Sequence, residues 1–212
     1  MIDITLFPSG PFQTNALVVS CTITKQALIV DPAPNSFAPI RRHIKEHNLT
    51  ATTILLTHSH WDHFADTAKV KATYNIPVLV HRDDAPNLIN PGADGLPLPD
   101  DIEGVDPDGF LEDGMIISVG ESSLRVIHTP GHSPGSVCFY CAEDNIVITG
   151  DTLFKGSIGN LSFPTSEASK MWASLEKLIA LPPQTNFIPG HGASSQLSKE
   201  SWLPNAKELF GY

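Results

Sequence analysis

Residues 55–66 read LLTHSHWDHFAD, and this stretch decides how the rest of the chain is interpreted. His58, His60, Asp62 and His63 lie within six positions, directly after a run of residues typical of a buried strand. Imidazole and carboxylate together suit zinc or iron, whereas calcium and magnesium prefer oxygen ligands alone. Four such side chains are few for two metal ions and spatially awkward for one, so further ligands are expected elsewhere in the chain.

Three later segments supply further ligand-type side chains. His132 lies in TPGHSPGS, Asp151 in ITGDTLF and His191 in FIPGHG, and each is placed beside glycine after a predicted strand. Glycine lets the backbone turn sharply there, and functional sites of such sheets lie at strand ends. A single histidine after a strand is usually structural. Five histidines and two aspartates in such positions instead predict a metal site.

The remaining histidines carry no such motif. His43 and His47 fit the exposed face of a predicted helix. His81 and His128 follow strand-like runs, and they either pack near the site or have no role in it.

Two of the three cysteines, Cys138 and Cys141, form a C-x-x-C pattern, which is typical of metal or redox sites. The segment SVCFYC, however, has the pattern of a strand, where positions three apart face opposite ways. We therefore interpret both as inert thiols. An odd number of cysteines also implies no disulfide framework.

The composition excludes several classes of function. The chain has 212 residues, 41% of them hydrophobic and 17% charged, which is ordinary for a globular protein and predicts a single domain over residues 1–212. Its net charge of -10 disfavours nucleic acid and anionic membranes as partners. We find neither a signal-peptide pattern nor an apolar run of membrane-spanning length, so a cytoplasmic location is expected.

Strand-like and helix-like patterns alternate in two halves, and each half begins with strands and continues into a helix. This rhythm predicts two sheets between outer helices. The predicted strands are residues 4–7, 16–22, 27–32, 52–57, 77–81, 115–119, 123–128, 136–141, 145–150 and 186–189. The predicted helices are residues 36–47, 64–74, 167–181 and 198–210, the last of them interrupted near Pro204.

Residues 82–113 differ in composition from the rest of the chain. They are rich in proline, glycine and aspartate, and they hold ten of the chain's 23 acidic residues. A short helix is predicted near residues 83–89. The segment is either a solvated connection or a lid beside the active site, and its length slightly favours the lid.

The motif THSHWDH, combined with His132, Asp151 and His191, resembles the metallo-β-lactamase fold superfamily over nearly the whole chain. The resemblance implies an α/β fold, a four-layer αββα sandwich with metals at one edge of the two sheets. With VDPA at residues 30–33, these motifs most resemble the glyoxalase II branch. Because the chain ends about twenty residues after His191, it is most similar to the short bacterial hydroxyacylglutathione hydrolase-like members.

The resemblance implies two divalent metal ions, with zinc expected first and iron or manganese as alternatives. Two ions about 3.5–4 Å apart lower the pKa of a shared water, so that hydroxide is available at neutral pH. Asp62 and Asp151 are the expected catalytic carboxylates. The implied ligands are His58, His60 and His132 for the first ion, Asp62, His63 and His191 for the second, and Asp151 as the bridge between them.

The expected substrate is a small thioester such as an S-acylglutathione. Members that bind glutathione often have lysine or arginine where this chain has Asn160, and tyrosines where it has Ser162 and Ala193. Lys155 and Arg125 either replace these contacts or are solvent-exposed charges. Asn160 and Lys155 are the expected substrate-binding residues.

Other functions stay open at this point. A persulfide dioxygenase of the same fold would hold one iron at the positions of His58, His132 and Asp151. A lactonase or β-lactamase is a further possibility, although β-lactamases have cysteine or serine in place of Asp151. A non-catalytic metal-binding protein is the last alternative. The oligomeric state is open, and a monomer is compatible with the sequence.

Overall fold

The first of two large sheets is built from the N-terminal half of the chain in a computed structural model that describes residues 1–99 and 102–211. Its spatial order follows the sequence. The first three strands pair antiparallel, and the later ones pair parallel because helices make the crossovers. The strands are β1 (Ile2–Ser9), β2 (Thr14–Cys21), β3 (Gln26–Val30), β4 (Thr50–Leu55), β5 (Val78–His81) and β6 (Gly109–Leu111). The helices are α1 (Phe37–Glu46), α2 (Trp61–Phe64), α3 (Thr67–Tyr74) and α4 (Ala85–Ile89).

The second sheet comes from the C-terminal half. Its strands are β7 (Ile116–Val119), β8 (Ser122–His128), β9 (Val137–Cys141), β10 (Ile146–Gly150), β13 (Asn186–Pro189) and β14 (Ser195–Gln196). They lie in the order β14-β13-β10-β9-β8-β7. Helix α5 (Ala168–Ile179) connects the parallel pair β10 and β13. A hairpin of β11 (Leu153–Phe154) and β12 (Ser157–Ile158) follows β10, and α6 (Ala206–Phe210) ends the described chain.

Alternation along the strands creates the layers, because successive side chains of a strand point to opposite faces. In β2, Val19 lies in the core between the two sheets, whereas its neighbour Val18 packs beneath the helices of the first half. In β9, Phe139 lies between the sheets, whereas Tyr140 packs on the side of α5. The result is the predicted four-layer αββα sandwich.

Each outer face of the sandwich is covered by the helices of its own half. Ile40 of α1, Val70 of α3 and Leu88 of α4 are fully buried against the first sheet. Met171 and Leu178 of α5 are fully buried against the second sheet. The helices thereby cover the outer faces of both sheets, and the loops at the sheet edge remain accessible.

Several predicted elements differ from the observed ones in detail. The helix predicted over residues 64–74 is divided into α2 and α3, because the N–H of Asp66 bonds the carbonyl of Pro32 and its carboxylate accepts the N–H of Phe37. The helix predicted over residues 198–210 is two 3₁₀ turns and the short α6, with Pro204 opening the second turn. Strands β6, β11, β12 and β14 were not predicted, because two or three residues are too few to show a period.

Within the ranges that the structure describes, we find no helix with the length and apolar character needed to cross a membrane.

Candidate metal centre

The motif residues after β4 are placed by the end of that strand. β4 ends at Leu55, and the chain then carries His58 and His60 through a loop into α2, which contains Asp62 and His63. All four side chains are buried. They converge because the loop leaves the carboxyl end of a parallel strand, where α/β sheets place their functional groups.

The other three predicted ligands reach the same point from the second sheet. His132 lies between β8 and β9, Asp151 directly follows β10, and His191 follows β13. The backbone at Gly190 passes so close that a Cβ there would overlap the side chains of Asp151 and His63. All seven predicted ligands are therefore brought together at one edge of the sandwich.

His58, His60 and His132 form the first group, called here the histidine trio. Each offers a ring nitrogen within 4.8 Å of the others. Nδ1 of His132 lies 2.9 Å from the carbonyl oxygen of Asn160 and must donate to it. Nδ1 of His58 lies 3.1 Å from the hydroxyl of Thr57, which itself donates to a carboxylate. Both contacts leave Nε2 with its lone pair free for a metal.

Asp62, His63 and His191 form the second group, called here the acidic group. One carboxylate oxygen of Asp62 lies 3.6 Å from Nε2 of His63 and 3.3 Å from Nε2 of His191. The far nitrogens are held by protein acceptors, since Nδ1 of His63 lies 2.9 Å from Asp31 and Nδ1 of His191 lies 3.1 Å from the carbonyl oxygen of Phe12. Three potential ligand atoms again face one point.

Asp151 lies between the two groups. One of its carboxylate oxygens is 3.5 Å from Nε2 of His132 and 3.4 Å from Nε2 of His191. The other is 3.4 Å from Nε2 of His63. Asp151 therefore contacts members of both groups, as the bridge predicted from the sequence requires.

The donor set fits metal ions. Nε2 of His58, His60 and His132 and one oxygen of Asp151 are buried, and none has a hydrogen-bond partner in the described part of the chain. Buried polar atoms normally have hydrogen-bond partners, so four unpartnered atoms that converge in one place are suited to hold a metal ion. Imidazole nitrogens with carboxylate oxygens are the donors that zinc and iron accept.

The match to known proteins agrees with this geometry. Residues 9–191 match the model of a family described as the metallo-beta-lactamase superfamily. The chain belongs to that superfamily. This membership confirms the resemblance and the αββα fold inferred from the sequence.

Three similar proteins illustrate the range of the superfamily. Hydroxyacylglutathione hydrolase GloC of Haemophilus influenzae is 29% identical over 206 residues, which cover 94% of this chain and 95% of GloC. The crystal structure of BLEG-1 B3 metallo-beta-lactamase superposes with a TM-score of 0.85 at 33% identity, covering 99% of this chain and 100% of BLEG-1. The structure of TTHA1623 in a di-iron-bound form gives 0.80 at 34% identity, covering 93% and 96%.

The two groups differ in the proton affinity of their histidines. Burial lowers the pKa of His58 well below its usual value, and burial with the neighbouring His132 lowers the pKa of His60 to about 3. Burial also opposes protonation in the acidic group, but the carboxylates of Asp62 and Asp151 outweigh it. They raise the pKa of His63 well above its usual value and that of His191 to about 9. At neutral pH, in the metal-free protein, His58 and His60 are therefore neutral, whereas His63 and His191 hold protons.

Asp31 is a supporting residue to which sequence reasoning gave no role. It follows β3 directly, with a backbone φ of +48°, and is almost fully buried. Its carboxylate accepts from the N–H and hydroxyl of Thr57 and lies against Nδ1 of His63. It therefore supports one histidine in each group. The signal in the sequence was an aspartate at the end of a buried strand, in the segment VDPA.

Asp84 forms hydrogen bonds with two of the loops that carry the candidate ligands. Its carboxylate accepts from the N–H of Ser59 at 2.8 Å, the hydroxyl of Ser133 at 2.8 Å and the N–H of Gly135 at 2.6 Å. It thereby ties the loop after β4 to the loop that carries His132. Burial raises the pKa of this carboxyl above its usual value.

Part of the segment 82–113 lies beside the site. Leu96 and Pro97 line the cleft above the ligands. The carboxylate of Asp94 holds this stretch in place, since it accepts from the amide of Asn87 and the N–H of Leu96, and it lies 4.0 Å from Nε2 of His60. Leu96 and Pro97 thus form part of the wall of the cleft, and the lid stays a prediction. Residues 100 and 101 of the segment lie outside the described residues.

The residues predicted to contact the substrate do not all lie in the cleft. Asn160 lines the cleft, whereas Lys155 is exposed and is not among the residues that line it in the described ranges. The charge of Lys155 acts instead on Glu200. Arg125 lies over the ring of Tyr140, 5.5 Å from its centroid, on the second sheet.

The remaining candidates lie outside the centre. The rings of His81 and His128 stack 4.0 Å apart, away from the seven ligands. Cys138 packs under α5, whereas Cys141 points into the core between the sheets, so the two thiols face opposite ways as predicted.

Proposed function

We propose that this chain is a dinuclear metal-dependent hydrolase of small thioesters. The observation that carries the proposal is the position of Asp151, whose two carboxylate oxygens contact histidines of both ligand groups. A bridging carboxylate between two three-ligand groups is the arrangement expected for a metal pair. The di-iron form of TTHA1623 supports two ions, and zinc and iron are the metals the donors favour.

The histidine trio would hold one ion and the acidic group the other, with Asp151 shared. When bound, two ions so held would lower the pKa of a water and polarise the substrate carbonyl. Hydrolysis then adds that water across the acyl–sulfur bond and gives a carboxylic acid and a thiol.

The protein's own residues orient this reaction. The hydroxyl of Thr14 donates to Asp62 at 2.7 Å and fixes its carboxylate at the floor of the cleft, where it is placed to accept a hydrogen bond from the attacking water and orient it. Asp62 has a pKa of about 2, because the neighbouring His63 and His191 outweigh its burial, so it is ionised at neutral pH. Within residues 1–99 and 102–211, no serine or cysteine lines the cleft, so a protein nucleophile is not invoked.

The likeness to GloC supports a thioester as the substrate. The acidic composition supports a small molecule over nucleic acid or membrane as the partner. A second candidate is hydrolysis of β-lactams, which the likeness to BLEG-1 favours. Both substrates present a carbonyl to an activated water, so only measured turnover separates them.

The test is metal analysis of the purified protein together with a hydrolysis panel. The panel contains an S-acylglutathione, an uncharged thioester and a chromogenic β-lactam. We expect two zinc or iron ions per chain and turnover of a thioester. One iron per chain with oxygen consumption on a persulfide would instead identify a dioxygenase, and turnover of the β-lactam alone would identify a lactamase.

A further inference from the structure

The cleft above the metal centre is a deep site with apolar walls. Its volume is about 580 Å³, within the usual range for small-molecule sites. Five of the seven ligands form its floor. Its walls are formed by six apolar side chains, Phe12, Trp61, Leu96, Pro97, Phe154 and Phe163.

The aromatic walls are packed directly against the metal ligands. Phe163 stands edge-on to the rings of His60 and His132, with centroids 5.3 Å and 5.5 Å away. Phe154 lies 6.0 Å from His191 by the same measure. The apolar surface therefore begins next to the reacting centre, where both the acyl group and the thiol group of a substrate must lie.

Phe12 and Trp61 form a second aromatic unit at the mouth of the cleft. Their ring centroids lie 5.5 Å apart. Phe12 is 58% exposed and belongs to the group of apolar residues that line the cleft, so it is part of an apolar patch and not a single exposed side chain. An apolar part of a ligand would cover it and gain from burying the ring.

The walls of this cleft, away from the metal ligands, carry no cationic side chain in the described part of the chain. No lysine or arginine lines it, and the polar side chain that lines it beside the ligands is Asn160. Lys155, the cation that the sequence offered as a substrate contact, lies outside this lining, and its charge lowers the pKa of Glu200. A carboxylate of a peptide thiol such as glutathione would lose water here without gaining a cationic side chain as its partner.

From these walls and this charge distribution we infer that the cleft selects thioesters whose thiol part is uncharged and apolar, in preference to S-acylglutathione. The inference rests on the proposed thioesterase function and narrows it. Burial against the aromatic walls supplies the binding, and the metal centre, common to all substrates, supplies the chemistry. The discrimination should therefore lie mainly in KM.

The test compares two thioesters with the same acyl group on the metal-loaded protein. S-acetylglutathione and S-benzyl thioacetate both release an alkyl thiol and differ chiefly in charge and apolar surface. We expect kcat/KM to be at least about tenfold higher for the benzyl compound, mainly through a lower KM. Equal values, or a preference for S-acetylglutathione, would overturn the inference and leave the thioesterase proposal standing. No turnover of either compound by fully loaded protein would overturn both.

Two substitutions sharpen the result. Asn160→Arg adds a cation to the cleft and should raise kcat/KM for S-acetylglutathione at least several-fold while leaving that for S-benzyl thioacetate almost unchanged. Trp61→Ala should raise KM for the benzyl compound and change KM for S-acetylglutathione much less. Metal content is measured for each variant, so that a lost ion is not mistaken for a lost contact. If Trp61→Ala and Asn160→Arg shift both substrates equally, the walls do not select and the inference fails.

Discussion

The histidine trio and the acidic group both contain imidazole side chains, but their surroundings shift the pKa of the histidines in opposite directions. In the trio, burial keeps the rings of His58 and His60 neutral, and Nε2 of all three histidines is left without a hydrogen-bond partner in the part of the chain described. In the acidic group, Asp62 and Asp151 hold protons on His63 and His191. The trio is therefore ready for an ion at neutral pH, whereas the acidic group must first release protons. From this difference we expect the placement of the carboxylates to set the order in which the two groups take up metal.

The largest effect is expected from removing the group that both sites share. Asp151→Ala should lower occupancy of both ions and reduce kcat/KM by at least about 100-fold, because the ligand and the activated water are lost together. Metal analysis and steady-state kinetics measure both. Asp106→Ala, which removes an exposed aspartate side chain outside the ligand set, is the matched control. Near-normal metal and activity in Asp151→Ala would mean that no bridge exists.

Substituting one residue of the acidic group tests whether the two groups bind metal independently. His191→Ala should leave about one tightly held ion, since the trio is intact, and should lower turnover strongly. His58→Ala should instead weaken the ion held by the trio. The exposed His47→Ala serves as the control for loss of a histidine. If His191→Ala and His58→Ala lower metal content and activity in the same way, the two groups do not act as separate sites.

The two sites should respond differently to pH. The pKa of His191 is about 9 in the metal-free protein, so the ring is protonated below that value and an ion must displace the proton. The raised pKa of His63 adds a second proton to be displaced, so affinity for the second ion should rise by at least about tenfold per pH unit between about pH 6.5 and pH 8.5. The lowered pKa of His58 and His60 leaves no proton to displace from these rings in this range. Chelator competition across the range measures both affinities, and equal slopes would remove the distinction.

The smallest effect is expected away from the centre. The double variant Cys138→Ser/Cys141→Ser should keep its metal content and turnover, because the thiols face opposite sides of the second sheet. Burial raises the pKa of Cys138 to about 11, so this thiol is protonated at neutral pH in the metal-free protein. Metal analysis of the double variant tests this, with folding followed by circular dichroism. A large loss of metal from folded protein would show that a thiol contributes to the centre.

The seven candidate ligands could be predicted to lie together because they are side chains with a recognisable chemistry at strand ends. The groups that orient these side chains were harder to predict. The groups that orient His132 and His191 are the carbonyl oxygens of Asn160 and Phe12, and a backbone carbonyl is present at every position of a sequence. Asn160 illustrates the difference, since its side chain was considered as a substrate contact while its carbonyl orients a ligand.

Residues 82–113 show a second kind of structural detail that could not be predicted from the sequence. Its composition indicated a loop but not which residues would reach the cleft. Asn87 and Asp94 fix that choice through side-chain hydrogen bonds across seven positions, which place Leu96 against the metal centre. Hydrogen bonds of this kind between side chains in a loop produce no periodic pattern in the sequence, so they could not be predicted. The pattern of hydrophobic residues, by contrast, was sufficient to predict the two sheets and their covering helices.

The most direct test of a two-metal hydrolase is a titration of the metal-free protein with zinc while thioester turnover is followed. The first equivalent should fill the histidine trio and give little activity. Turnover should then rise with the second equivalent and level off at two ions per chain. Turnover that reaches its maximum at one equivalent, and does not change with the second, would contradict the account.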